Sequence, residues 1–566
     1  MMKNMIKKIT SLGVALLVLF SCSLSAYYKK PRLTVIMVVD QFAYNYIRQM
    51  SPYLKHGIKF LMQQGIVYEN ALFPHATPST GPGFTGLNTG TTADYHGIVG
   101  NFFCNPSTGK KMSCDDDDVK TCAVINPKEG VYDYGKGPVN IMVDGITDQF
   151  VLSSQPGAAR TSLSLSIKSR SAICTANKMG KAIWFDTKTG LFTSSKYYYD
   201  QLPAWLAQFN RQKGVNRLSC VSWPLFYPRN SAAYNFKEID NYTYSAHEPI
   251  AGKTLSIGNT QNGFALFEHT PAANQLLFDL AAHAIQTHIT RTSCQEMLLW
   301  VCLSPLDFVG HDYGPQSREA IDMIYHLDCQ IAQFMDRVSD YLKRTDVLYV
   351  LTADHGVSPI PELLNKEGYP DACRIDYTKI IQELNCFIDQ KFGVSDLACS
   401  CLSTQIFFKD AVFKELPGEK QKAILDGAKQ KVSEALGVKK VWTYDELMQT
   451  WYEHDQIESY YKRQLYPGRS GNLIIQPFPY CIPDEFKTGT GHRTPYEPDV
   501  HVPLILYQKH NLEKRVIYDQ VWALQLAPSL AHILRIPRPS ASRYHLLPGL
   551  IDYDPITGEV LQTVVL

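Results

Sequence analysis

Three apolar runs in this chain each stop just short of an aspartate, and no other feature restricts the fold as much. Leu33 to Val39 precedes Asp40, Met297 to Leu303 precedes Asp307, and Val347 to Leu351 precedes Asp354. Short, almost wholly apolar runs suit strands covered on both faces, the setting of a parallel sheet. Val502 to Tyr507 is a fourth run that can join them. Elsewhere the spacing is helical. Ile321, Ile324, Leu327, Ile331, Phe334, Val338 and Leu342 recur every three or four residues, the stripe of an amphipathic helix on a core. Strands alternating with helices predict an α/β layered fold with a mostly parallel central sheet. Ligands in such folds bind beyond the carboxyl ends of the strands, where all three aspartates fall.

Two stretches break the alternation. Residues from Cys104 to about 175 are rich in Gly, Ser and Asp, and residues from Ser358 to about 480 hold a polar helix, Glu419 to Leu436. Both read as insertions covering the site within one catalytic domain spanning 27–566. Asp115 to Asp118 is a run of like charges with no EF-hand spacing after it, so it reads as a solvated, disordered loop, with calcium binding as the alternative. Tyr197-Tyr198-Tyr199 reads as strand or lid packing, with stacking on a substrate as the alternative.

Lys3, Lys7 and Lys8 precede an apolar run from Leu12 to Phe20, and small residues follow as far as Ala26. Together these predict an export signal over 1–26; the run is too short to span a bilayer. Two processing routes are open. Cleavage after Ala26 leaves Tyr27 first, whereas Leu19-Phe20-Ser21-Cys22 resembles a lipobox whose Cys22 would carry lipid. Phe20 stands where lipoboxes favour a small residue, which tilts the choice to ordinary cleavage. The protein is thus expected outside the cytoplasm, periplasmic or secreted, and on a membrane only if lipidated at Cys22. Export permits disulfides, and among the 14 cysteines Cys104, Cys114 and Cys122 are close enough for a local bridge. No Cys-x-x-Cys pair suggests a thiolate zinc site. With 55 Lys+Arg against 54 Asp+Glu, the net charge of +1 argues against a nucleic-acid-binding surface. Recognition of an anion must then come from a local site.

The strand ends carry the chemistry. Asp40 follows the first, Asp307 and His311 the second, Asp354 and His355 the third, and His492 comes late in the chain. Three aspartates and three histidines can form two three-ligand sites for divalent cations, each with room for water or substrate. Carboxylate with imidazole suits zinc best, with manganese or iron as alternatives. Thr80 lies in Thr77-Pro-Ser-Thr80-Gly-Pro-Gly, whose glycines allow close backbone approach and beside which a helix is expected to begin. A helix N-terminus and a cation would both favour its alkoxide; a capped helix start is the competing reading of that segment.

Val-Val-Asp40-Gln, Thr80-Gly-Pro-Gly, His96-Gly-Ile-Val-Gly-Asn101, Asp307-x-x-Gly-His311, Thr-Ala-Asp354-His355-Gly and His492 occur in that order. The set resembles the ordered motifs of the type I phosphodiesterase/nucleotide pyrophosphatase branch of the alkaline phosphatase superfamily. Within it, the pattern is most similar to that of bacterial phosphate-irrepressible alkaline phosphatases, over about residues 33–507. The resemblance implies an exported phosphomonoester hydrolase with two zinc ions, working on small-molecule phosphate esters through a phospho-threonine intermediate. It implies that Asp40, Asp354 and His355 hold one ion together with Thr80, the nucleophile. Asp307, His311 and His492 would hold the other. Asn101 would bond a phosphoryl oxygen, and Lys168-Ser-Arg170 matches a Lys-x-Arg pair placed over the phosphoryl group. Phe84 departs from the His common in the family and is read as a packing change. Sulfatases need Cys or Ser in a Cys/Ser-x-Pro-x-Arg context, which is absent here. Two rival readings remain: a phosphodiesterase or nucleotide pyrophosphatase on the same scaffold, and a catalytically inactive envelope binding protein.

Overall fold

The computed structural model describes residues 29–550 apart from 106–109, 156–158, 238, 259–262, 290–294, 454–455 and 484–486. The expected export signal, with Cys22 and the cleavage point at Tyr27, lies outside the described residues.

Ten strands form the central sheet: β1 Leu33–Val39, β2 Ile66–Leu72, β3 Arg160–Ser166, β4 Lys181–Asp186, β5 Leu191–Thr193, β6 Glu296–Leu303, β7 Val347–Thr352, β8 His501–Tyr507, β9 Arg515–Ile517 and β10 Val521–Trp522. Their spatial order is β5-β4-β3-β6-β1-β7-β8-β2-β9, with β10 on β2. The middle of the sheet, from β4 through β3, β6 and β1 to β7, is parallel. The fourth apolar run joins as β8, antiparallel to both β7 and β2. β1 and β7 are buried along their whole length, which is why their sequences carry no polar alternation. Val38 pairs with both Cys302 and Thr352, so β1, β6 and β7 end at one level and deliver Asp40, Asp307 and Asp354 to one edge.

Four helices matter for the site. α1 (Thr80–Thr89) and α2 (Ser169–Ala176) follow β2 and β3, while α3 (Pro305–Tyr313) follows β6 directly. α4 (Arg318–Tyr341) is the helix expected from the periodic stripe, and it buries Ile321, Ile324, Leu327, Ile331, Phe334 and Val338.

The stretch expected as an insertion over 104–175 divides in two. Its first part is a hairpin, Phe102–Cys104 with Lys111–Ser113, and a three-stranded sheet of Asp116–Asp117, Val131–Lys136 and Ala123–Ile125. Its end is β3 and most of α2, which belong to the central sheet and its helical layer. β3 alternates serine with leucine because its polar face meets α2: Ser164 Oγ lies 2.6 Å from Thr175 Oγ1. The later stretch holds a separate four-stranded sheet of Ala398–Leu402, Gln405–Phe408, Leu473–Pro477 and Val438–Thr443. Helices Tyr377–Phe392 and Gly418–Ser433 cover it and form a hydrophobic core of their own with it.

Two expectations are corrected. Asp115 is not solvated: it is 1% exposed and bonded to Ser113, Ser169 and Lys136. Cys104, Cys114 and Cys122 are all free thiols, so no local bridge forms among them. Tyr198 packs in a buried cluster with Trp184 and gives its hydroxyl to Asn177 O. Among the described residues no helix is long and apolar enough to cross a membrane.

Candidate active site

The three aspartates at the sheet edge meet three imidazoles. Ligand atoms of Asp307, His311 and His492 all lie within 4.8 Å of one another, as do those of Asp40, Asp307 and His355. Asp307 is common to both groups, so the two adjoin. Asp354 enters through His355, whose Nε2 is 3.3 Å from Asp354 Oδ2 and 3.5 Å from Asp40 Oδ1.

The hydrogen bonds on the far side of each ring decide what the near side can do. His355 Nδ1 bonds Gly356 O at 2.9 Å, His311 Nδ1 bonds Thr490 O at 2.8 Å, and His492 Nδ1 bonds Pro78 O at 2.7 Å. A carbonyl only accepts, so each Nδ1 carries the proton. Burial keeps His355 and His492 neutral with the Nε2 lone pair turned inward, whereas Asp307, whose Oδ1 is 3.2 Å from His311 Nε2, outweighs burial and raises His311. For His355 that lone pair faces carboxylate oxygens. Lone pair against anion is repulsive unless a cation lies between them. Accordingly His355 Nε2, Asp40 Oδ1 and Asp354 Oδ2 are buried without a hydrogen-bond partner. An imidazole held through Nδ1 by a carbonyl is the usual support of a metal ligand, and the donor set of nitrogen and carboxylate oxygen fits divalent cations.

Electrostatics agree. Burial, then the neighbouring Asp307, pushes Asp40 up to about 6. Burial and Asp40 raise Asp354 well above the carboxylate range. Burial drives His355 down to about 3, and burial with His355 and His311 nearby holds His492 well below its ordinary value. This edge is therefore short of positive charge. Lys168 supplies part of it, donating from Nζ to Asp40 Oδ2 at 2.8 Å and also to Asp307 Oδ2.

Thr80 is the first residue of α1 and is 2% exposed. Its segment is tied to the cluster on both sides. The Pro78 carbonyl holds His492, and Gly83 lies so close that a Cβ there would stand 2.3 Å from Asp354 O. Gly81 is as constrained, since a Cβ would meet Cys114 Sγ at 2.9 Å. The Gly81 N–H instead donates to Asn101 Oδ1 at 2.7 Å, which fixes the side of the amide that carries its N–H donors. Lys168 and Arg170 flank the first turn of α2, with Lys168 Nζ 4.7 Å from the Phe308 ring and Arg170 Cζ 5.4 Å from the Phe102 ring. Phe84 is fully buried in the main core.

Sequence reading passed over Gln41. It has positive φ, 68°, and gives its backbone N–H to Asp354 Oδ1 and its side-chain amide to Asp307 Oδ1 at 2.9 Å. Nothing in the spacing marks it, although it adjoins Asp40. Asp499 was also missed. It accepts from Ser358 Oγ and from Thr494, and so braces the loop of His492 against that of His355.

A model of the type I phosphodiesterase / nucleotide pyrophosphatase family matches residues 34–479. A protein of Myroides odoratus named calcium-transporting ATPase is 28% identical, over 92% of this chain and 95% of its own. Alkaline phosphatase PhoV of Synechococcus elongatus is 27% identical, over 94% of this chain and 98% of its own. The crystal structure of wild-type alkaline phosphatase PafA superposes with a TM-score of 0.77 at 24% identity, covering 92% of this chain and 98% of that one, which shows a common fold. The family match starts inside β1 and runs to just past the last strand of the separate four-stranded sheet, so it takes in every metal-site and catalytic residue expected from the sequence except His492. On that span the chain belongs to the type I phosphodiesterase/nucleotide pyrophosphatase branch of the alkaline phosphatase superfamily.

Proposed function

We infer that this protein is a metal-dependent alkaline phosphatase that hydrolyses small phosphomonoesters. The observation that carries the reading is the set of three carbonyl-anchored imidazoles aimed at three buried carboxylates, with His355 Nε2, Asp40 Oδ1 and Asp354 Oδ2 left unpartnered, beside a threonine at a helix N-terminus. Full-length similarity to a protein named an alkaline phosphatase supports the monoester class. The Myroides relative's name, an ATPase, also implies hydrolysis at a phosphoryl group.

In this reading Asp40, Asp354 and His355 hold one divalent cation beside Thr80, and Asp307, His311 and His492 hold a second. Zinc is the proposed metal, since imidazole nitrogen with carboxylate oxygen is a donor set zinc favours. Bound there, the two cations would favour the Thr80 alkoxide and offset charge on the departing oxygen. Thr80 Oγ attacks phosphorus, the bond to the leaving oxygen breaks, and the alcohol leaves with a proton. Water then attacks the phospho-threonine, releasing orthophosphate and restoring the hydroxyl. The α1 N-terminus faces the charge that builds up on Thr80. Asn101, Lys168 and Arg170 bond the non-bridging oxygens.

Free phosphate released from 4-nitrophenyl phosphate, compared with cleavage of bis(4-nitrophenyl) phosphate, tests the class. The monoester should be turned over much faster, chelation should abolish activity, zinc should restore it, and elemental analysis should find about two metals per chain. Preference for the diester would move the protein to the phosphodiesterase reading. Activity that survives complete metal removal would overturn the ligand assignments.

The reading also treats 27–566 as one catalytic domain behind an export leader. The mature protein should begin at Tyr27, or at a lipidated Cys22, which mass spectrometry of the native N-terminus distinguishes.

A further inference from the structure

Lys168 and Arg170 stand two residues apart, yet they are held by different means. Lys168 is clamped directly by Asp40 and Asp307. Arg170 makes a long contact, 3.5 Å, from Nη1 to Ser113 Oγ, and its Nε is buried without a partner. Behind Ser113 lies Asp115.

The proton on Ser113 decides how this contact works. Ser113 Oγ bonds Asp115 Oδ1, and an ionised carboxylate can only accept, so the hydroxyl proton goes to Asp115. The lone pairs of Ser113 are then turned to the guanidinium. Ser169, the residue before Arg170, gives its own hydroxyl proton to the other oxygen, Asp115 Oδ2, at 2.6 Å. Lys136 Nζ completes the group, 2.8 Å from Asp115 Oδ1. Burial alone would raise the Asp115 carboxyl, but Lys136 and Arg170 outweigh it and bring it down to about 2, so it stays ionised. Two hydroxyls thus link one buried carboxylate to the turn that carries Arg170. A carboxylate set directly on the guanidinium would occupy the paired donors that a phosphoryl oxygen needs. Set one hydroxyl away, it orients the guanidinium and leaves the charge available.

We propose that Asp115 is a positioning residue for Arg170, fixing through Ser113 and Ser169 the direction in which the guanidinium meets the phosphoryl group. The proposal deepens the function inferred above and rests on it, because it requires that Arg170 bind that group.

A double-mutant cycle tests it, with kcat/KM measured on the monoester and the diester for metal-loaded Asp115→Asn, Arg170→Ala and the combined variant. Asn keeps the shape but offers Ser113 an N–H, which can reverse the hydroxyl. Asp115→Asn should lower the monoester value on the order of tenfold, the size expected for a perturbed charge-assisted bond, and leave the diester within about twofold. With Arg170 already removed, the same change should cost almost nothing more. Ser113→Ala, which spares the Asp115–Lys136 pair, should show the same selective loss if Asp115→Asn folds poorly, and Ser113→Thr should restore activity. Equal losses on both esters, or an undiminished loss in the Arg170→Ala background, would mean Asp115 only supports the fold and would overturn the proposal. A flat response to Arg170→Ala itself would overturn the phosphoryl-binding role of Arg170, and the role of Asp115 with it. A strong Arg170→Ala effect with silent Asp115 and Ser113 variants would remove this inference alone.

Discussion

The two inserted segments differ in how they are built. The first, the hairpin and small sheet after Asn101, has no extensive core of its own among the described residues. Its buried apolar residues Phe103, Cys114 and Ile141 share a cluster with Ala93, Ile98 and Val99 from the segment after α1. The second, from Arg374 to Pro483, encloses Leu384, Ile388, Ile424, Ala428, Leu473 and Ile475 in a separate core. The segment that leans on the catalytic layer for its folding is the one that brings Ser113 and Asp115 to the site. The second reaches toward the site through main-chain props, Gln464 Nε2 donating to Val99 O at 2.7 Å and Arg469 Nη1 donating to Gly97 O at 2.7 Å and to Asn140 O at 2.6 Å, and through Trp442, Tyr460, Tyr461 and Leu465 packed with Ala76. The difference suggests a division between positioning reacting groups and bracing the segment that does so.

Substitutions graded from the sheet edge outward can break that division. Thr80→Ala belongs to neither insertion and should have the largest effect, a loss of roughly 10⁴-fold or more in turnover, as when other enzymes lose a nucleophile. Near-normal turnover in a folded variant, or phosphate trapped on another residue at low pH, would remove Thr80 from its role. The Lys168→Ala, Arg170→Ala pair comes next. A monoester presents two charges and three non-bridging oxygens, and a charge-assisted bond contributes about 1.5–3 kcal/mol, so roughly a hundredfold or more of kcat/KM should go. The diester should lose far less, and equal losses would make the pair structural. Arg469→Ala, which cuts a prop, should cost a few-fold in kcat through Asn101, about what one weakened contact is worth; a hundredfold loss would place the second insertion in the chemistry. Smallest in rate should be Leu384→Ala. A cavity in the second core costs about 2–5 kcal/mol of local stability, seen as an earlier unfolding transition, while kcat below that transition stays unchanged. A fall in kcat matching that of Arg469→Ala would show that the two cores are not separate in function.

How much of this was legible depended on distance along the chain. β1, β6 and β7 announce themselves because both faces are buried, and the metal-site candidates because short motifs sit at strand ends. β3 stays hidden in a stretch that reads as an insertion. Its serines are satisfied by α2, a tertiary contact that no period of two or 3.6 encodes. Asp115 was misread for a related reason. A run of four acids repels itself in isolation, but antiparallel pairing of Asp116 with Lys136 brings a cation to it from 20 residues further on. The amide of Gln41 likewise acquires a meaning only when α3 carries Asp307 beside it.

Each of the three imidazoles is held through Nδ1 by a peptide carbonyl, those of Pro78, Gly356 and Thr490. A peptide carbonyl survives every substitution at its own position. Substitution at Pro78 or Thr490 can change the side chain without deleting the acceptor, whereas at Gly356 a Cβ would stand 2.1 Å from Pro498 O and would move the carbonyl. Only a change that moves the backbone can undo the anchoring, and at Gly83, packed against Asp354 O, a single added methyl group would be another such change. Lineages built on this plan are therefore free to diverge in side chains around the histidines while remaining intolerant of insertions, deletions and bulkier residues in the turns that carry them.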